Sequence, residues 1–368
     1  MTELNVAPGH VRALDVYQPG KPVEELEREL GITGAIKVAS NENPLGPSPR
    51  ALAAIPAALS QLHLYPDAGA FALRRALSAK LGVSDAEIAV GNGSNDLLYQ
   101  LVLATCETTD EVLSHQYSFL SYRLSAQVAG RPFVAARVTP ELGVDVDALI
   151  AAITPRTKLV VLGSPNNPTG SHLTRAQADR VLAALPERAL LVIDEAYVEY
   201  AAEWPEIDHV DGLALRATSP RVVVLRTFSK IYGLAGLRCG YAIADRSVIE
   251  LLGRVSRTFA VSSLALVGAQ AALADQDHVA ISARHARAAI EQLRSEVKGP
   301  GVKLYPSISN FVLIDCGKPS QPIYDRLLKQ GVIVRPMAAW GLPNAIRVSV
   351  ASHQDMPRVI KTLNAVLG

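Results

Sequence analysis

In the stretch TFSKIYGLAGLRCGY, residues 227–241, one lysine and one arginine sit among residues that are otherwise small, apolar or glycine. Taking an ammonium out of water is costly unless it is paired or neutralised. Lys230 therefore reads as a lysine that works uncharged, covalently bound to a carbonyl compound. Other residues capable of chemistry follow apolar runs. EIAV leads into GNGSND (91–96), KLVVL into GSPNNPTG (163–170), ALLVI into DEAY (194–197) and RVVVL into RTFSK (226–230). Ligands of open α/β sheets sit beyond the carboxyl ends of the strands. Asn, Asp, Tyr, Ser and Lys are thus delivered to one edge, as a binding site requires.

Each segment has a chemical and a plainer explanation. GNGSND ends a strand and opens a helix, so its unpaired N–H groups and the helix dipole favour an anion. That makes Gly93, Ser94 and Asn95 a phosphate seat, where the plainer alternative is a Gly-rich turn. It is neither a Walker loop nor a GxGxxG fingerprint, which disfavours nucleoside triphosphates and dinucleotides. Asp194 follows five apolar residues. Buried carboxylates are paired, so it is either a helix N-cap or the partner of a cationic nitrogen in a ligand. Tyr197 either donates its hydroxyl to the same ligand or packs. Asn167 lies in a Pro-bounded turn, where Asn also serves the backbone.

The elements that carry these residues follow from periodicity. Strand candidates are 87–90, 111–114, 158–162, 189–193, 221–225 and 240–244, rich in Val, Ile and Leu on both faces. Such strands belong to a sheet covered on both sides. Helical spacing at 95–105 and 173–185 alternates with them, predicting an α/β fold with a mainly parallel sheet between helical layers. Past about residue 246 the texture changes. Ala-rich helical stretches (262–275, 278–297) precede strand-like 309–315, 332–336 and 345–350, which predicts a smaller α+β domain. The expected division is an N-terminal arm, 1–40, packing with the small domain; a large domain, 41–250; and the small domain, 251–368.

Composition bounds the function. At 368 residues and 49% hydrophobic, the chain can fill two cores. Lys+Arg (36) nearly cancels Asp+Glu (35), so no bulk field points to nucleic acid or an anionic membrane. Cys106, Cys239 and Cys316 have no metal-ligand or CxxC spacing, and their odd number argues against a disulfide framework. No metal site is expected. The N-terminus lacks the pattern of a signal peptide, and no apolar run of about 18 residues is present. A cytoplasmic protein is expected.

SPNNPTG, DEAY and TFSKIYGLAGLRCGY together resemble the fold-type-I aminotransferases that use pyridoxal 5′-phosphate. LDVYQPGKP (14–22), SNENPLGPS (40–48), LYPD (64–67), SISNFVLI (307–314), VIVRPM (332–337) and AIRVSV (345–350) are similar to the histidinol-phosphate aminotransferase branch. The resemblance implies that Lys230 bonds covalently to the cofactor and, once displaced by the substrate amine, moves the proton between Cα and C4′. Lysine suits this because its pKa falls readily on desolvation. Asp194 would hold the pyridine nitrogen protonated, and Asn167 with Tyr197 would hydrogen-bond the phenolic oxygen. Gly93, Ser94, Asn95, Thr227, Ser229 and Arg238 would surround the phosphate. Phe119 would stack on the ring, with Tyr117 and Tyr122 as competitors for that role. Tyr65 would reach the phosphate of a neighbouring subunit, implying a two-fold homodimer. The substrate end would be Tyr17, Asn43, Asn310, Arg335 and Arg347. Arg347 lies in an apolar strand and calls for an anionic partner, the alternative being an internal salt bridge.

The implied reaction converts histidinol phosphate and 2-oxoglutarate to imidazole-acetol phosphate and glutamate. An aromatic amino-acid aminotransferase is the alternative, because the same arginines can receive a carboxylate. A phospho-amino-acid decarboxylase shares the fold and much of the motif set.

Overall fold

The structure is a computed structural model that describes residues 6–14 and 20–368. Its main sheet has seven strands: β1 (Ile88–Gly91), β2 (Glu111–His115), β3 (Phe133–Ala136), β4 (Thr157–Gly163), β5 (Leu190–Asp194), β6 (Val222–Thr227) and β7 (Gly240–Ile243). The order is β1-β7-β6-β5-β4-β2-β3. Pairings from β6 outward to β3 are parallel, whereas β7 runs antiparallel to both β6 and β1. The central runs are apolar because both faces are covered. Leu159–Leu162 of β4 and all of β6 are buried.

Register aligns the chemistry. Gly163 pairs with Asp194, Asp194 with Leu225, and Thr227 with Gly240, so the polar residues beyond these strands leave the sheet at one level. Helix Ser94–Thr105 starts directly after β1 behind Gly93, whose φ of 90° is open to glycine at little cost. Helix Arg175–Ala184 is fixed by a reciprocal Thr174/Gln177 capping box.

A second, antiparallel sheet joins Arg335–Pro336, Ala345–Ser349, Phe311–Asp315 and Lys303–Leu304. Ile36–Lys37 pairs in parallel with Val332–Ile333. The core is shared: one cluster of buried residues runs from Val160 and Ile193 through Phe228 and Ala283 to Phe311 and Val348. Helix Ser263–Leu273 packs on Pro49–Ala58.

The α/β expectation agrees with this sheet, and three details differ. β7 is antiparallel, a direction that an apolar run does not encode. The edge strand β3 escaped the strand pattern because only Ala136 of its four residues is buried. The run 332–336 is two short strands in two sheets, with Val334 between them.

Candidate active site

A cavity of about 290 Å3 opens where β1, β4, β5 and β6 end. Lys230, Asp194, Asn167, Tyr197, Ser94, Asn95, Phe119, Thr227, Ser229, Arg238, Arg335 and Arg347 all line it. Four strand ends therefore converge as their sequence suggested.

Lys230 follows β6 and is half-buried. Its Nζ donates to the Ser40 carbonyl at 3.2 Å and lies 5.8 Å from the centre of the Tyr197 ring. Burial, then the guanidinium of Arg347, pushes its pKa down to about 8, with Glu42 opposing. The amine thereby loses its proton far more readily than an ordinary lysine, as a nucleophile and base needs.

Asp194 is 8% exposed. Its Oδ2 accepts from the Tyr122 hydroxyl at 2.9 Å and its Oδ1 from the Ala196 N–H at 3.2 Å. Burial lifts its pKa to about 6, the Tyr122 bond being the largest opposing effect. It caps no helix, since the next one, Val198–Ala201, has Tyr197 at its N-cap and no side-chain cap bond. A buried carboxylate with lone pairs to spare suits a protonated ring nitrogen.

The Tyr197 oxygen accepts from Asn41 Nδ2 at 2.9 Å and Asn167 Nδ2 at 3.4 Å. Burial raises its pKa to about 12, so it remains a phenol. With two N–H groups on the oxygen, its own proton is left for an acceptor in the cavity. Asn167 lies between cis peptide bonds at Pro165 and Pro168, and its Oδ1 receives Arg347 Nη1. Arg347 also donates to the Ala39 carbonyl at 2.5 Å.

At the phosphate end, Arg238 adopts φ 57° and donates to Ser229 Oγ at 3.3 Å and the Ala235 carbonyl at 2.9 Å. Ser229 N–H donates to Thr227 Oγ1 at 3.1 Å. Glycine is required twice. A Cβ on Gly93 would lie 2.9 Å from Arg238 Nη2, and one on Gly240 would lie 2.3 Å from the Ser94 nitrogen. The guanidinium thus closes over a helix N-terminus with two hydroxyls beside it, a donor set made for phosphate. Together with the lysine and the carboxylate, this cradle fits pyridoxal phosphate.

Other residues fall differently. Phe119 lines the cavity and meets Tyr122 edge-on at 5.8 Å, whereas Tyr117 does not line it. Tyr122 also lines the cavity and donates its hydroxyl to Asp194. Arg335 lines the cavity over the Trp340 ring, 5.5 Å from its centre. Tyr17 lies outside the described residues. Asn43 and Asn310 are not among the residues that line the cavity. Asn43 donates to the Ile231 carbonyl at 2.7 Å and Ser282 Oγ at 2.9 Å, and accepts from Leu45 N–H at 3.0 Å. Asn310 donates to the Asn41 carbonyl at 3.0 Å. Buried amides need such partners, and these two brace the 41–45 loop. That loop instead brings Asn41 and Glu42 to the cavity, next to Ser40. SNENP is where a signal for them existed. Tyr65 is 82% exposed, stacks on Phe259 at 4.5 Å and does not line the cavity of its own chain. Among the described residues, no His/Cys/Asp/Glu group could hold a metal and no helix is long and apolar enough to cross a membrane.

A lysine, a buried carboxylate and an arginine-closed phosphate cradle at the ends of a mainly parallel sheet define a fold-type-I transferase. Residues 33–363 match the family model of aminotransferases of class I and II. A histidinol-phosphate aminotransferase of an Anaeromyxobacter species is 45% identical over 364 residues, 99% of each chain. That of Nitrosococcus oceani is 44% identical over 362 residues, 98% of this chain and 97% of its own. The crystal structure of histidinol-phosphate aminotransferase from Sinorhizobium meliloti in complex with pyridoxal-5′-phosphate superposes with a TM-score of 0.89 at 31% identity, covering 100% of this chain and 98% of that one. The chain belongs to the class I and II aminotransferases, within the histidinol-phosphate aminotransferase family.

Proposed function

We propose that this chain is a pyridoxal-phosphate-dependent transaminase that moves the amino group of histidinol phosphate to 2-oxoglutarate. The observation that carries it is one cavity lined by Lys230 and Asp194 together with Arg238, Arg335 and Arg347. When bound, pyridoxal phosphate supplies an aldehyde and a ring that accepts electrons from the substrate's Cα. Ser94, Asn95, Thr227, Ser229 and Arg238 bind its phosphate. Asp194 holds the proton at the ring nitrogen. Tyr197 donates to the phenolic oxygen, and Phe119 covers one ring face. Lys230 Nζ would be the residue that holds the cofactor's aldehyde carbon and, as a free amine, would move the proton at the substrate's Cα. Arg335 and Arg347 bind the substrate phosphate, and in the second half of the ping-pong cycle a carboxylate of the keto acid. The proposal includes a cytoplasmic location and the division into 1–40, 41–250 and 251–368.

Because those arginines accept either anion, aromatic amino acids are the competing amines. Single-turnover mixing of the holoenzyme with individual amines separates them. Histidinol phosphate should bleach the cofactor's absorbance at least tenfold faster than phenylalanine or tyrosine at equal concentration. Rapid bleaching by the aromatic amines alone would overturn the substrate assignment, and carbon dioxide release without amine transfer would overturn the reaction.

The same proposal includes a two-fold homodimer. Tyr65 is surrounded in sequence by Leu59, Leu62, Leu64 and Phe71, all exposed in the single chain. A second copy would cover them and receive Tyr65 at its phosphate end. Tyr65→Ala should weaken cofactor binding by about tenfold, one charge-assisted hydrogen bond, while the apoprotein melts as wild type does. Equilibrium dialysis and calorimetry test this, and a monomer in sedimentation would end it.

A further inference from the structure

Outside the strand ends, one hydroxyl reaches the Asp194 carboxylate, from the helix Leu120–Val128. Tyr122 is 1% exposed and donates to Asp194 Oδ2 at 2.9 Å. Room for it is made by Gly163, which pairs with Asp194 across β4 and β5. A Cβ on Gly163 would lie 2.9 Å from the Tyr122 oxygen. The Tyr122 ring also meets Phe119, and both side chains line the cavity. Gly163 and Phe119 thus flank the side chain whose hydroxyl reaches Oδ2. The other charged neighbours of the carboxylate are Glu195 and Lys230.

We infer that Tyr122 is a positioning residue for the transfer reaction, donating its phenol proton to Asp194 Oδ2 so that the carboxylate stays ionised and a shared proton resides on the cofactor's ring nitrogen. This rests on the cofactor reading proposed above. A donor on a carboxylate lowers that carboxylate's proton affinity. The proton between Asp194 and the ring nitrogen therefore shifts toward the nitrogen, where it makes the ring a stronger electron acceptor. Burial alone would favour a neutral acid and an unprotonated ring, and Tyr122 opposes it. Its own burial keeps it a phenol.

The test uses holoenzyme reconstituted with pyridoxal phosphate carrying 15N at the ring nitrogen. In wild type the nitrogen resonance should stay at its protonated position well into alkaline pH. In Tyr122→Phe the resonance should already lie well toward its unprotonated position at neutral pH, because the shared proton then resides largely on Asp194, a redistribution of about tenfold or more, the size of one hydrogen bond to a charged group. The turnover number kcat should fall about tenfold while KM for the amine stays within about twofold, the pattern of an interaction acting on the chemical step. Gly163→Ala keeps the phenol but displaces its oxygen, so it should shift the same resonance in the same direction; it also carries the test if Tyr122→Phe does not fold. Unchanged nitrogen titrations in both variants, with only the melting temperature lowered, would overturn the inference and leave the cofactor reading intact. Failure of the wild-type protein to bind the labelled cofactor would overturn both.

Discussion

Lys230→Met should lose transamination by a factor of about 10^4 or more, since one substitution removes both the covalent anchor and the base. The same variant should be the more stable apoprotein. In the folded apoprotein the ammonium's pKa lies near 8, against a model value of 10.5. Below pH 8 the amine is protonated in folded and unfolded chains alike, so the folded state carries the full penalty of a half-buried cation. Between about pH 8 and 10.5 the unfolded chain binds more protons, and wild-type stability climbs with pH. Methionine keeps the volume and removes the charge. At pH 7 the variant should gain on the order of 1–3 kcal/mol, each unit of depression being worth about 1.4 kcal/mol at most. The gain should vanish as pH passes 10.5. Urea unfolding of both apoproteins at pH 7 and pH 10 measures it. A variant no more stable than wild type at pH 7, or retaining amine transfer, would contradict the assignment of Lys230.

That pairing of lost activity with gained stability also explains what was legible in the sequence. A lysine amid apolar residues is a local conflict, and local conflicts mark function. Asp194 and Asn167 were legible for a related reason, since each follows an apolar strand and the ends of such strands meet. The structure brings both into the cavity with Lys230.

What was not legible depends on contacts between distant segments. Tyr122 and Asp194 are 72 residues apart, and Asn41 and Tyr197 are 156 apart. No periodicity links such pairs. Tyr122 occupies a helical position whose burial looks like packing, and only the space left by Gly163 shows where its hydroxyl goes. Asn43 and Asn41 lie two residues apart in SNENP and differ in the direction they face. Asn41 adopts φ 55° and turns its amide onto Tyr197, while Asn43 is consumed by Ile231 and Ser282. Residue type alone does not choose between them. The direction of β7 belongs to the same category, because a strand buried on both faces reads alike either way.

Glu195→Ala should destabilise the apoprotein by about 3–5 kcal/mol, the usual cost of stripping one partner from a buried ion pair. Glu195 and Arg226 are the chain neighbours of Asp194 and Thr227, and their side chains pair at 2.8 Å across the ends of β5 and β6. Glu195 is fully buried, and its second oxygen accepts the Gly212 N–H at 2.6 Å. Alanine leaves that N–H without its acceptor and the guanidinium without its closest anion. One residue limits the loss. Burial raises the Glu199 pKa to about 7, Arg226 draws it down, and Glu195 pushes it up. With Glu195 gone, Glu199 loses its repulsive neighbour and ionises more readily beside Arg226, replacing part of the missing charge. Glu199→Gln alone should therefore change stability little, while the double variant should fall further than the two single changes added together, a coupling expected of residues sharing one partner. Urea unfolding of the four apoproteins completes the cycle. Strict additivity would show that Glu199 does not act as the reserve anion. A loss under about 1 kcal/mol for Glu195→Ala would show that the pair does not hold the two strand ends that present Asp194 and Lys230 to the cavity.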